Sequence, residues 1–471
     1  MPNVRTVLTA ALFGLFTVGF TITILAVSLP QIADDLNSSI GVLTWTVTGP
    51  LLGFAVVGPA SGKLGDLYGH RRVYLLGLTG AAVFALATAA APNAGLLVAF
   101  RVLSATFGAA TGPASMAMIN RMLPPERRAQ AMGYWSLVMA GGPVIGVVAG
   151  GPVIEAYGWR WIFLGQFLFS IPALMVCWRV LPATARARNV RFDWQGSLLI
   201  AAGAGALVLA MNQGPQLGWT NPLVLGAFVL APLGIWAFIA WERRTPDPLM
   251  PLRYFGKRNV AFPLATQMLT NGAYMGGFIL TPLLLEDVLG YGPTRTGLIS
   301  IFRPLAFAIT GPLVGAIAVR AGERNVARIG ALFVGGSMVA LSMVGEGTTD
   351  IFIAGGLALS GIGMGATQPS MVATIANAVD ENDLGVAGAA QQMLTQIGTV
   401  GGIQLLQTMQ MVTEERSGLT GSYGNAYLLG AVLAAAGAVT ASFIVSSNRP
   451  APARRLRRQD REAPTAACRA A

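Results

Sequence analysis

The chain has 471 residues, 54% of them hydrophobic and only 11% charged, with 59 glycines and a mean hydropathy of +0.61. A soluble domain devotes roughly a quarter of its residues to charge, so this composition excludes a largely water-facing surface. The formal charge of +11 does not mark a nucleic-acid binder, because the basic residues are scattered through short loops. Two cysteines, Cys177 and Cys468, and the single His70 exclude a disulfide scaffold and a Cys/His metal cluster.

Fourteen apolar runs follow one another, most near the roughly 20 residues that carry a helix across a bilayer core. The first six lie near 7–29, 43–62, 73–91, 95–119, 131–154 and 161–180. The first is too long for a leader h-region and ends in Ser28-Leu29-Pro30-Gln31 rather than a small-residue cleavage site, so it reads as a span. Runs seven and eight, near 195–212 and 223–241, are short; a re-entrant pair there would reduce the count to twelve. The last six lie near 260–284, 297–319, 327–345, 351–373, 386–410 and 425–446. The expected organisation is a six-helix domain at 1–180, a linker and two-helix insert at 181–258, a second six-helix domain at 259–446, and a disordered basic tail at 447–471.

The loops alternate in charge. One side collects Lys63, Arg71, Arg72, Arg121, Arg127, Arg128, Arg179, Arg243, Arg244, Arg253, Lys257, Arg320, Arg324 and Arg328. The other holds Asp34, Asp35, Glu286, Asp287, Glu346, Asp350, Glu414 and Glu415, with only Arg160, Arg295 and Arg416. The positive-inside rule makes the first side cytoplasmic, with both termini on it.

Several features inside this frame carry chemistry. Gly62-Lys63-Leu64-Gly65-Asp66-Leu67-Tyr68-Gly69-His70-Arg71-Arg72 reads as a tight turn between two spans, with Asp66 placed to cap a helix or pair with an arginine. It is echoed at Gly315, Gly322 and Arg324, and Met116 to Gly133 is echoed at Met371 to Gly388. Such internal repeats are how many transporters build two conformations around a central site. In the fifth run Gly142, Pro143 and Gly146 permit a bend and close packing. Arg101 and Arg303 lie inside spans, where a charge points to a cavity or a partner. Gln267, Asn271, Gln368, Gln392 and Gln396 line a polar pathway or join helices. Glu155, Glu286 and Asp287 are the carboxylates nearest the ends of a pathway, and so the candidates for proton coupling.

The Gly62–Arg72 segment resembles the signature loop of the major facilitator superfamily. The run Ala140 to Val147, the following Gly158-Trp159-Arg160-Trp161-Ile162-Phe163, and Thr23 to Ile32 resemble the superfamily's fourteen-helix drug:proton antiporter branch. The resemblance implies an all-α membrane bundle of two pseudo-symmetric six-helix domains with two extra central helices. Gly62, Gly65, Asp66, Gly69, Arg71 and Arg72 would form a gating latch, and Gly142, Pro143 and Gly146 a flexible fifth helix. The chain departs from that branch in five places: Thr21 stands where an aspartate is usual, Ala26 where an asparagine is, Ser104-Ala105 where a glutamine-glycine follows Arg101, Gln166 where another asparagine is, and Val319 matches Asp66 in the second half.

The function expected is secondary active export, by alternating access, of small apolar or amphiphilic molecules, neutral or anionic, across a bacterial cytoplasmic membrane. Protons would drive it, with membrane lipids the surrounding partner and no cofactor or nucleic acid. The alternatives are lipid or amphiphile movement without tight proton coupling, and a non-transporting sensor or scaffold. An intramembrane enzyme would need a polar catalytic set within the spans, and the sequence offers none.

Overall fold

The computed structural model describes residues 4–21, 31–38, 40–43, 45–183, 192–246, 248–249 and 251–445. All regular structure among them is helical. The first-half helices are α1 (Val4–Gly19), α2 (Trp45–Tyr68), α3 (His70–Ala89), α4 (Ala94–Gly108 continued by Thr111–Met122), α5 (Pro125–Tyr157) and α6 (Arg160–Val180). The insert forms α7 (Trp194–Leu217) and α8 (Pro222–Glu242). The second half gives α9 (Arg258–Asp287), α10 (Pro293–Ser300 continued by Phe302–Ala321), α11 (Glu323–Ser342) and α12 (Asp350–Ala378). The last helix, Leu384–Ser442, is broken only at Gly418, with φ 68° and ψ 172°, and so divides into α13 (384–417) and α14 (419–442).

These are the fourteen expected spans, in order. The latter part of the first expected span, including Ala26 and most of Thr23 to Ile32, lies outside the described residues, as does the tail. Two details differ from the expectation. The segment between runs thirteen and fourteen is helix rather than loop: Met411 to Arg416 contains no breaker, and Gly418 supplies the one left-handed residue that ends it. The insert's helices are longer than their apolar runs. At 24 and 21 residues, α7 and α8 measure about 36 and 32 Å and are long enough to span.

The short polar segments set the turns. Asn93 and Asp193 accept from the amides of Leu96 and Gly196 and so cap α4 and α7. Gly69 (φ 97°, ψ 128°) and Gly322 (φ 82°, ψ 134°) turn α2 into α3 and α10 into α11 with the same geometry. Only glycine adopts that conformation without strain, so the sequence echo marks a real structural repeat.

The halves meet along two seams, α2 against α13 and α5 against α10. Each is closed by a glycine pair. A Cβ at Gly62 would lie 2.4 Å from the carbonyl oxygen of Gly385, and one at Gly133 2.4 Å from that of Gly311. The insert folds as a hairpin whose backbones touch at Gly203 and Gly234. Helix α7 packs on both sides of the first seam, with Gly205 beside Val56 of α2 and Val208 against Val400 of α13. Helix α8 packs on α7 and turns Leu223, Leu225, Val229, Leu233 and Trp236 outward, an apolar face suited to lipid.

Candidate functional site

Helix α13 begins with an N-cap residue, Asp383, whose side chain makes no capping bond. Its amides are capped from the other half of the molecule instead. Asp66, only 5% exposed, accepts from Val386 N at 3.1 Å and more weakly from Gly385 N at 3.4 Å. The same carboxylate accepts from Arg121 Nη2 at 3.0 Å and lies 3.0 Å from His70 Nε2, which donates in the tautomer that suits a carboxylate. A negative group on the second and third amides of a helix satisfies orphan donors and complements the helix dipole. Arg121 also donates to the carbonyl of Glu381, at 3.0 Å.

A second clasp mirrors the first in sign. Arg128, near the start of α5, donates through Nη1 to the carbonyl of Ala376 at 3.0 Å and to Asn377 Oδ1 at 2.9 Å, at the C-terminal end of α12. Its Nε donates back to the carbonyl of Asn120 at 3.1 Å. A guanidinium here meets carbonyls that the helix leaves unpaired and the negative end of its dipole. The sequence reading counted Arg128 only as a topological charge. Its place seven residues after Arg121, at the start of a helix opened by Pro124-Pro125, was the signal available.

The linker holds the loop between these two helix ends. In the 3₁₀ turn Leu252–Gly256, the Tyr254 hydroxyl lies 2.7 Å from Asp380 Oδ2 and 2.6 Å from Asp383 Oδ2. Burial, then the two carboxylate acceptors, push its phenol up to about 12. Lys63 Nζ donates to the carbonyl of Pro248 at 2.9 Å, and the amide of Leu249 donates to Glu242 Oε1 at 3.0 Å. One peptide unit thus ties the signature turn to the insert. Inside the clasps, the space bounded by Met116, Val372, Ala387 and Gln391 is about 10 Å³. That admits at most one water, so these side chains leave no open space between them.

Not every expected gating residue joins the latch. Arg71 donates to the carbonyl of Trp178, Arg72 is exposed, and neither is bonded to Asp66. Gly65 is required by His70, whose ring would meet a Cβ there at 2.3 Å. In α5, Gly142 faces Phe16 and Gly19 of α1 and Phe20 just beyond it. The helix runs unbroken through Pro143 and Gly146, whose own surroundings lie outside the described side chains, as does the side chain of Glu155.

The polar residues of the second half divide. Gln267 accepts from Gln391 at 2.6 Å, and Asn271 donates to Thr399 Oγ1 at 2.6 Å; both bonds join α9 to α13. Gln368 is buried in α12. Gln392 faces the other half, since a Cβ on Gly112 of α4 would lie 3.1 Å from its Oε1. Gln396 follows one turn later and is partly exposed. Glu286 and Asp287 are exposed at the end of α9, and Asp287 accepts from the Tyr423 hydroxyl at 2.5 Å.

Both intramembrane arginines are buried. Arg101 is 3% exposed and donates to the Thr21 carbonyl at 3.2 Å. Arg303 is 1% exposed within the second half, making one long contact, 3.4 Å, to the Tyr274 carbonyl, whose ring centre lies 5.6 Å away. Among the described residues neither forms an ion pair. Tyr291, Arg295 and Asp350 cluster at the arginine-poor end, as do Trp159, Arg160 and Asp35.

The family model for the Major Facilitator Superfamily matches residues 11–403. The chain belongs to that superfamily. It is 30% identical over 398 residues to the tetracenomycin C resistance and export protein of Streptomyces glaucescens, covering 83% of this chain and 73% of that one. It is also 30% identical over 393 residues to the puromycin resistance protein pur8 of Streptomyces alboniger, covering 82% and 78%. Against the multidrug transporter protein MdtP of Bacillus subtilis the identity is 27% over 407 residues, covering 85% and 74%. Among solved structures, the human organic anion transporter MFSD10 (TETRAN) superposes with a TM-score of 0.66 at 16% identity, covering 94% of this chain and 100% of that one. The proton:xylose symporter XylE superposes with a TM-score of 0.67 at 14% identity, covering 94% and 96%. These two establish the fold alone. As a member of the superfamily's multidrug-efflux branch, the protein is a multi-pass membrane protein and a secondary active transporter of small molecules, not an enzyme.

Proposed function

We propose that this transporter exports small neutral or anionic amphiphiles from the cytoplasm by alternating access, driven by the proton gradient. The observation that carries the reading is the capping of α13 by Asp66 from the opposite half. It is a contact that one state makes and the other must break. The arginine-rich end is then cytoplasmic, with both termini on it, and this state is closed toward the cytoplasm. Residues 1–180 and 259–446 act as the two moving bodies, and 181–258 as linker and insert. The resistance and export proteins among the relatives support the direction of transport.

The charge preference rests on what the spans contain. Among the described side chains, carboxylates occur toward helix ends, whereas Arg101 and Arg303 sit deeper. At an effective dielectric of about 20, like charges 4 Å apart cost about 4 kcal/mol, so even a screened fraction disfavours a cation. Gln392 and Gln396, at the seam, are neutral hydrogen-bonding groups for a polar head. Glu155, Glu286 and Asp287 remain the coupling candidates in this reading. Thr21, which cannot titrate, favours the second reading of weak or absent proton coupling.

The test is uptake into proteoliposomes of matched cationic, neutral and anionic amphiphiles, with and without an imposed pH gradient. Cation-selective transport sinks the charge assignment. Transport indifferent to the gradient selects the uncoupled reading, and none under any condition removes both.

A further inference from the structure

Arg101 lies seven residues into α4, about 10 Å from the end of that helix, and is only 3% exposed. Arginine does not shed its proton there, so a full positive charge sits in a low-dielectric interior. Apart from Arg303, the buried charges whose partners are described above are answered. Asp66 has Arg121, and Lys63 and Arg128 have carbonyls at helix ends or turns. Arg101 has one carbonyl, that of Thr21 at 3.2 Å, and the face of Phe163 at 6.0 Å from its ring centre. Among the described residues its Nε–H has no acceptor. The Thr21 hydroxyl, 0% exposed on the residue that supplies the carbonyl, has no partner either. A buried donor left unsatisfied and a buried charge left unpaired are both strongly unfavourable, and here they belong to two residues joined by a hydrogen bond.

We infer that Thr21 and Arg101 form the donor end of a site for a small monovalent anion, either chloride or the carboxylate of a transported molecule. The guanidinium supplies the charge and Nε–H, the threonine hydroxyl a second donor, and Phe163 an apolar wall. The carboxylate source rests on the export reading above; the chloride source does not. Arg303 also has unsatisfied donors, Nε and Nη2, but lies in the other half beside Tyr274, and it serves as the internal control.

The experiment uses the full chain, purified in detergent, and follows its thermal unfolding. Sodium chloride or sodium benzoate is titrated against sodium gluconate at constant ionic strength. A ligand that binds only the folded state raises the midpoint saturably, here by about 2–4 °C. Thr21→Val weakens the response at least about fivefold in midpoint concentration, the scale of one lost hydrogen bond to a charged group. Arg101→Gln abolishes it, and Arg303→Gln retains it. Thr21→Asp places a carboxylate beside the guanidinium, so that variant melts no lower than anion-saturated wild type and ignores both salts. It carries the test if Arg101→Gln fails to fold. A response to benzoate alone assigns the site to a substrate carboxylate, and one to chloride alone to the inorganic ion. A wild type indifferent to both salts, or a T21D protein that responds as wild type does, overturns the site. Transport failure with the anion response intact would sink the export reading and leave this site standing.

Discussion

The two ends of this transporter are built differently. Among hydrogen bonds between described residues, those that cross from one half to the other all lie at the arginine-rich end: Asp66 to Gly385 and Val386, Arg121 to Glu381, and Arg128 to Ala376 and Asn377. At the other end the polar contacts stay within a half. Asp35 pairs with Trp159 and Arg160, Arg295 with Asp350, and Tyr423 with Asp287. The first end is a lock between bodies, and the second is bracing within each body. Each side chain in the lock engages a helix terminus or the backbone beside one, so the clasp releases once the helices part.

If that contrast is right, the largest effect belongs to Asp66→Asn. Removing one partner of a buried pair costs about 3–5 kcal/mol, and here the loss falls on the locked state alone. Transport is expected to slow by at least about tenfold, since 1.4 kcal/mol is already a factor of ten. A cysteine at Ala387, just inside the lock, should become reactive from the arginine-rich side. A folded D66N protein that transports at the wild-type rate and leaves that cysteine protected would break the comparison outright. Arg128→Gln is expected to do the same more weakly, severalfold, because a cation at a helix end contributes about 1–2 kcal/mol in partly buried geometry. Measured together, the two changes should add within about 0.5 kcal/mol if the clasps are separate. A large coupling would mean that they act as one.

The contrast also shows what the sequence could disclose. The fourteen spans, their order, the side that carries charge and the paired glycine turns at Gly69 and Gly322 were all legible, because each is a local property: apolar length, loop charge, a positive φ. The acid of the latch was legible too, through the glycine frame around Asp66. Its partners were not. Val386 lies 320 residues away, and nothing local to either residue announces the contact. For the same reason Arg71 and Arg72, its sequence neighbours, were expected beside Asp66, while Arg121 and Arg128 were read as loop charge. The glutamines show the same limit, since lining a pathway and joining helices were both open to them. Gln391, passed over for the pathway, bonds Gln267, and Asn271 is taken up by Thr399. A polar residue in a span shows that it needs a partner without showing which.

A smaller effect is expected at Lys63, which joins the signature turn to the insert rather than one half to the other. Its bond to Pro248 is single, 2.9 Å long and nearly buried. Lys63→Gln keeps a donor of nearly the same reach and removes the charge, so transport should fall by about two- to threefold, a fraction of the roughly 1 kcal/mol that separates a charged from a neutral hydrogen bond. If K63Q slows transport as much as D66N does, the insert belongs to the lock, and α7 must be released from α2 for the pathway to open.

The smallest effect should come from the bracing end, at Arg295→Gln. Arg295 and Asp350 are 55% and 41% exposed and belong to the same half, at the mouths of α10 and α12. Their contact therefore moves with the body and is the same in every state of a rocking cycle. Solvated pairs of this kind contribute little to stability, and whatever this one contributes cancels between states, so the transport rate should change by less than about twofold. The pH dependence follows the same logic. Bonds from Tyr291 and Arg295 hold the Asp350 carboxyl below its ordinary value of 3.8. The stabilisation is thus complete above that value and is lost only as pH falls through the lowered one. Between pH 5 and 8 neither the wild type nor R295Q should acquire a new pH dependence from this pair. Rates in proteoliposomes across that interval decide the matter: a tenfold loss in R295Q, or a shifted pH profile, would mean that this end also carries a lock, and the asymmetry between the two ends would be gone.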